Sequence, residues 1–158
     1  MSRTLPVFLA VLALALTGGA SQAATRASDG SAAWATVNSC APGAVGMRVG
    51  VSGDGRRREV FARFTAQWWS PAAKGWDPVA GTASSPWVHV GSTVYESRQN
   101  GYTFAFAPTA PGSHPVVRGL ATIEWRERGR VVRQRTLVTQ AGAPDVAGGT
   151  SRASCSLG

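Results

Sequence analysis

Apolar and polar residues alternate most plainly between Gly119 and Thr139. Ala121, Ile123 and Trp125 take turns with Thr122, Glu124 and Arg126, and a second β-branched run follows Arg128-Gly129. A period of two is the signature of a half-buried strand, and a two-residue loop needs positive φ, which glycine adopts without strain. The stretch therefore reads as a β-hairpin. Folding its ladder about Arg128-Gly129 sets Glu127 opposite Arg130, Trp125 opposite Val132 and Glu124 opposite Arg133. Ala121, Ile123, Trp125, Val132, Gln134 and Thr136 then share one face, while Arg126, Arg133 and Arg135 project from the other. A hairpin with one apolar face must bury it against a second sheet, so the expected architecture is an antiparallel β-sandwich.

The same period recurs upstream. Strands are expected at residues 34–39 and 45–52, the latter with Val45, Met47, Val49 and Val51 on one face. Residues 59–69 form the longest alternating run, with Val60, Ala62, Phe64, Ala66 and Trp68 together and Phe61, Arg63, Thr65, Gln67 and Trp69 opposite. Residues 76–79 return beside that run, residues 87–95 make a bent edge segment interrupted at Gly91, and Tyr102, Phe104 and Phe106 align in a further strand. Pro-, Gly- and Asp-containing turns separate these runs, and no stretch carries a capped 3.6-residue apolar period. About seven short strands in this arrangement predict an all-β domain.

The ends differ from this body. Residues 1–23 read as a signal peptide: Arg3 precedes an apolar run from Leu5 to Leu16, and Ser21-Gln22-Ala23 offers the small residues a signal peptidase accepts. The run is too short for a spanning helix, which needs about 20 apolar residues. Cleavage near Ala23 and release as a secreted protein with no stable membrane anchor are expected. Removing 23 of the 158 residues leaves 135, enough for one domain. Residues 24–33 read as a flexible N-terminal segment, 34–139 as the sandwich and 140–158 as a Gly/Ala/Ser-rich tail. The two cysteines, Cys40 and Cys155, are expected to pair in an oxidising compartment and tether that tail. A loop of that length could gain about 4–5 kcal/mol from the bridge on the chain-entropy model.

A family resemblance can be placed on particular residues. Gln67-Trp68-Trp69-Ser70-Pro71 followed by Gly75-Trp76 resembles the middle hairpin of immunoglobulin-like and fibronectin type III-like sandwiches, with Trp68 as the tryptophan between the sheets. The chain from Ser39-Cys40-Ala41-Pro42-Gly43 through Glu124-Trp125-Arg126 to Cys155 is similar to uncharacterised secreted domains of high-GC actinobacteria. The resemblance implies an immunoglobulin-like, fibronectin type III-like antiparallel β-sandwich and brings no catalytic residue with it. It departs from antibody domains in placing its cysteines near the termini and in lacking a tyrosine corner.

Charge adds one candidate surface. The formal net charge is +8, and once Arg3 is removed fourteen arginines and Lys74 stand against eight acidic residues. GC-rich coding produces such an arginine excess without any function. The pointed alternative is a polyanion-binding strip of Arg126, Arg128, Arg130, Arg133 and Arg135, suited to cell-wall polymers or acidic polysaccharide. Nucleic acid is a poorer match, because readers of single strands interleave aromatics with their basic residues and this hairpin puts its single aromatic on the other side.

Catalytic constellations are sparse. His89 and His114 lack metal-ligand spacing, and no GxSxG, HExxH or phosphate-binding glycine loop occurs. No cofactor or metal is implied. A serine acting with His89 remains an alternative, since triads assemble from distant positions. Trp69, Trp76 and Trp87 form a further candidate, an aromatic platform for a sugar or a protein partner if the fold leaves them uncovered. The sequence thus points to a secreted, non-catalytic β-sandwich for protein or cell-surface interaction. Polyanion binding and an enzyme of unrecognised type are the alternatives.

Overall fold

The computed structural model describes residues 32–80, 84–144 and 150–157; the expected signal peptide and nearly all of the 24–33 segment lie outside them. Among the described residues there are nine strands and no helix. They are β1 (Ala33–Ala41), β2 (Ala44–Ser52), β3 (Glu59–Ser70), β4 (Gly75–Pro78), β5 (Val88–Ser92), β6 (Ser97–Ala105), β7 (Val116–Glu127), β8 (Arg130–Val138) and β9 (Ser154–Ser156). One antiparallel sheet runs β1-β2-β6 and the other β4-β3-β7-β8, with β5 added to β3 and β9 to β7.

The core lies between the two sheets and follows the expected alternation. Val45, Met47, Val49 and Val51 of β2 meet Val60, Ala62, Phe64 and Ala66 of β3 and Ala121, Ile123 and Trp125 of β7, all buried. Burying the Val, Met, Phe and Ile side chains among them contributes roughly 1.5–3 kcal/mol each. Trp125 is the largest wholly buried side chain. Trp68, expected between the sheets, is instead 39% exposed and opens onto a cleft at the end of the sandwich. Its cleft neighbours are Phe106, Pro115, Val117 and Leu157, beyond the part of β3 that the facing sheet covers.

The hairpin forms where expected but with a different facing. Arg128 and Gly129 both have positive φ, 48° and 80°, the backbone of a tight two-residue turn, and Glu127 pairs with Arg130. The register then shifts between Trp125 and Arg126: Arg126 pairs with Val131, Trp125 with Arg133 and Glu124 with Gln134. Val132 is the extra residue of a β-bulge, and one extra residue exchanges the two faces of everything after it. Arg133, Arg135 and Leu137 consequently share the face of Trp125, Ile123 and Ala121, whereas Gln134 and Thr136 share that of Glu124 and Thr122. The guanidinium of Arg133 lies 4.6 Å from the centre of the Trp125 ring and caps it.

The tail is held by more than the expected tether at Cys155. Val37 and Arg152 exchange two backbone hydrogen bonds, and the Gln140 amide donates to the Ala35 carbonyl. The Thr139 hydroxyl donates to the Ala153 carbonyl at 2.6 Å and accepts from the Gly119 amide, while Thr36 meets both the Ser151 hydroxyl and the Arg152 carbonyl. These polar groups close the seam between β1 and the end of β7. The Cys40–Cys155 disulfide, with its Cα atoms 5.6 Å apart, joins β1 to β9 across it.

Candidate functional site

The sheet containing β3 and β7 turns its outer face to solvent, and strict alternation along β3 puts Glu59, Phe61, Arg63, Thr65, Gln67 and Trp69 there. On β7 the same face carries Arg118, Thr122, Glu124 and Arg126. Two clusters result, one near each end of β3.

At the β3–β4 end, Trp69 pairs with Trp76 across the ladder and their rings meet edge to face with centres 5.5 Å apart. The Arg118 guanidinium lies 4.4 Å from the Trp76 ring centre and is aimed by its Nε–H donating to Gln67 Oε1 at 2.9 Å. Burial lowers the pKa of Arg118 from its usual value, which marks a cation partly stripped of water between an aromatic ring and an amide. Trp69 remains 37% exposed, and Trp68 points the other way at the same strand end. The two successive tryptophans therefore bracket the end of β3, one on the outer face and one over the apolar cleft of about 490 Å³.

At the opposite end, Arg126 donates twice to Glu124 Oε2, at 2.9 and 2.6 Å, and sits over Phe61 and Trp87 with 4.4 and 5.2 Å to the ring centres. His89 packs its ring against Phe61 and places Nε2 2.6 Å from Glu59 Oε2. No serine hydroxyl is hydrogen-bonded to His89 among the described residues. Nor do three His, Cys, Asp or Glu side chains among them gather as a metal set would require. A third cluster links the hairpin to the preceding loop. Arg58 donates to Glu127 Oε1 at 2.7 Å and to Asp54 Oδ2 at 3.1 Å. Burial acts to raise the Asp54 pKa, but the Arg56 amide, the Thr93 hydroxyl and the charges of Arg58 and Arg56 outweigh it and hold the carboxyl below its usual range.

The candidate arginines do not make one strip. Arg126 lies on the outer face, engaged with Glu124. Arg128 is in the turn and Arg130 beside it, both exposed, and the bulge carries Arg133 and Arg135 to the inner side. The candidate tryptophans divide as well. Trp69 and Trp76 touch, whereas Trp87 precedes the Val88–Ala62 pair and contacts Arg126 toward the far end of the same face. Sequence reasoning missed Arg118 and Gln67 as partners of Trp76. Their signal was the β3–β7 pairing of Gln67 with Arg118, which no local pattern reveals. A separate polar groove of about 680 Å³ runs over β2 and β6, with Asn38, Arg48, Gln99 and Thr103 in its lining.

No protein-family model matches the sequence, and no curated protein matches it. Among solved structures, the sporulation control protein Spo0M from Bacillus subtilis is similar at 14% identity with a TM-score of 0.35. The match covers 69% of this chain and 48% of that one, so the chain spans about half the length of Spo0M.

Proposed function

We propose that this chain is a secreted, non-catalytic module of immunoglobulin-like, fibronectin type III-like type that docks on a protein or cell-surface partner, after a signal peptide is cleaved near Ala23. The observation that carries the reading is the tryptophan pair Trp69–Trp76, the first exposed and the second half-buried, held on the β3–β4 ladder with Arg118 packed on it. Tryptophan and arginine dominate interface hot spots because they bring a large apolar area and a polar tip at little conformational cost. Export is supported by the disulfide, which persists in oxidising compartments. Polyanion binding through the hairpin arginines has less support, since those side chains divide between two faces.

The test is capture of partners from the producing cell's envelope by the mature protein and by the double variant Trp69→Ala/Trp76→Ala. Loss of capture at unchanged thermal stability is expected, since both side chains are partly exposed. Equal capture by the two proteins, or turnover of a hydrolase panel that disappears on replacing His89, would overturn the reading.

A further inference from the structure

β8 and β6 are the two long strands among the described residues whose outer edges receive no backbone hydrogen bond from another segment. The edge of β6 is approached by β5, and the remaining edges are closed or short. The tail covers β1 through Val37, Arg152, Ala35 and Gln140, and Asn100 of β6 donates its side-chain amide to the His89 carbonyl of β5. The β4 edge is four residues long and ends in Pro78. On β8 the ladder runs without interruption from Arg133 to Val138, six residues beyond the bulge, so alternate N–H and C=O groups along that stretch face solvent.

Charge decides what such an edge can accept. Residues 128–139 contain Arg128, Arg130, Arg133 and Arg135 and no carboxylate, and neither Arg130 nor Arg135 forms an ion pair among the described residues. A second copy adding its own β8 would bring arginine rows together, which is destabilising for like charges placed across a ladder. An extended segment with carboxylates two residues apart would instead face Arg133 and Arg135 on one side of the new ladder. Each opposite-charge pair then adds to the main-chain bonds. Val131 and Val132, 50% and 49% exposed, supply apolar contact where the pairing begins. We propose that the 133–138 edge of β8 takes an acidic, extended peptide segment of a protein partner as an added antiparallel strand. This rests on the interaction reading above and gives that partner a chemistry and a binding mode.

The probe is a labelled eight-residue peptide alternating Glu with Val or Thr, titrated into the mature protein at low and moderate salt. Binding should weaken at least tenfold with Arg135→Glu and less with Arg135→Gln. The Lys-for-Glu peptide should bind Arg130→Glu/Arg135→Glu better than it binds the parent. N-methylating alternate peptide amides along one edge should abolish binding, while methylating the other set should leave it intact, and backbone amides within 133–138 should gain protection from hydrogen exchange. Loss of affinity on neither methylation, or equal affinity for heparin with the same response to Arg135→Glu, would mean simple polyanion attraction and overturn strand addition. So would an absence of binding, or a concentration-dependent dimer that uses β8. An envelope partner whose capture survives Arg130→Glu/Arg135→Glu but fails with Trp69→Ala/Trp76→Ala would overturn the β8 proposal alone and leave the interaction reading standing.

Discussion

β8 and β9 lie end to end along the same side of β7, β8 against residues 120–127 and β9 against 116–118. The longer of the two is the less constrained. β8 has nine residues, mostly exposed, and is held by its turn and one ladder. β9 has three, yet Cys155 and the adjoining Leu157 are buried, the disulfide binds it to β1, and the Leu157 amide donates to the Pro115 carbonyl. What fixes a strand's facing is the free energy of placing particular side chains in the core, and strand length does not supply it. The bulge at Val132 is tolerated because either facing of β8 leaves most of its side chains in water.

The largest effect should separate β7 from β8. Trp125→Ala removes the largest buried side chain and should cost about 3–5 kcal/mol, whereas Val132→Ala in the partner strand should stay within about 0.5 kcal/mol. Urea unfolding of both variants measures the difference. A Trp125→Ala loss below about 1 kcal/mol would mean that the two strands are equally free and the contrast is false.

Next in size is the disulfide. Cys40→Ser/Cys155→Ser should lower stability by about 2–5 kcal/mol. It should also bring β9 amide protection in hydrogen exchange down to the level of β8. If the Ser154–Ser156 amides stay protected after the bridge is removed, then Leu157 and the polar seam suffice to hold the short strand.

These contrasts explain which parts of the fold were legible in sequence. Val45, Met47, Val49 and Val51, and Val60, Ala62, Phe64 and Ala66, alternate because both strands bury one face completely, so a period of two reports their facing faithfully. The Cys40–Cys155 pairing was legible from the count of two and the expected export. The facing of Arg133 and Arg135 was not, because a bulge leaves no mark in a strand whose two faces are nearly equally polar. The docking of the tail was not legible for a related reason: Ser151, Arg152 and Ala153 join β1 and Thr139 through backbone and hydroxyl hydrogen bonds, which need no apolar period. Trp68 and Trp125 each carry a sequence that looks like a core tryptophan. Only the extent of the facing sheet determines which of them is covered. At the candidate site the tryptophan pair was legible from the Trp76 return, but Arg118 reaches its partner Gln67 across 51 residues of chain.

The hairpin's mooring to the loop before β3 gives a smaller, pH-dependent effect. Asp54 has a folded-state pKa below its unfolded value near 3.9. Its contribution is therefore fully present above about pH 4 and is lost as the pH falls through the folded value. Asp54→Asn should cost about 1 kcal/mol at neutral pH, because the Arg58 link to Glu127 loses its second anchor. It should also flatten the acid limb of the stability profile. An acid limb identical to the parent's would show that the mooring of β7 and β8 does not depend on that carboxylate.

The smallest expected effect is the most discriminating for the bulge itself. Deleting Val132 leaves Arg126 opposite Val131 and lets Trp125 meet Arg133 in the next position, so the ladder becomes regular with no side chain changing face. Stability should change by no more than about 0.5 kcal/mol, within the range of surface substitutions, and Arg133 should still cap the Trp125 ring. Deleting one residue from the middle of β7 would instead turn Ile123 or Trp125 outward and should prevent folding. The fluorescence of Trp125, read in a background where the other five tryptophans are replaced, distinguishes the outcomes. Unchanged emission means that the edge strand follows its neighbour. A red shift together with a loss above about 2 kcal/mol would mean that the bulge carries a twist the hairpin needs, and that β8 is as tightly specified as β9.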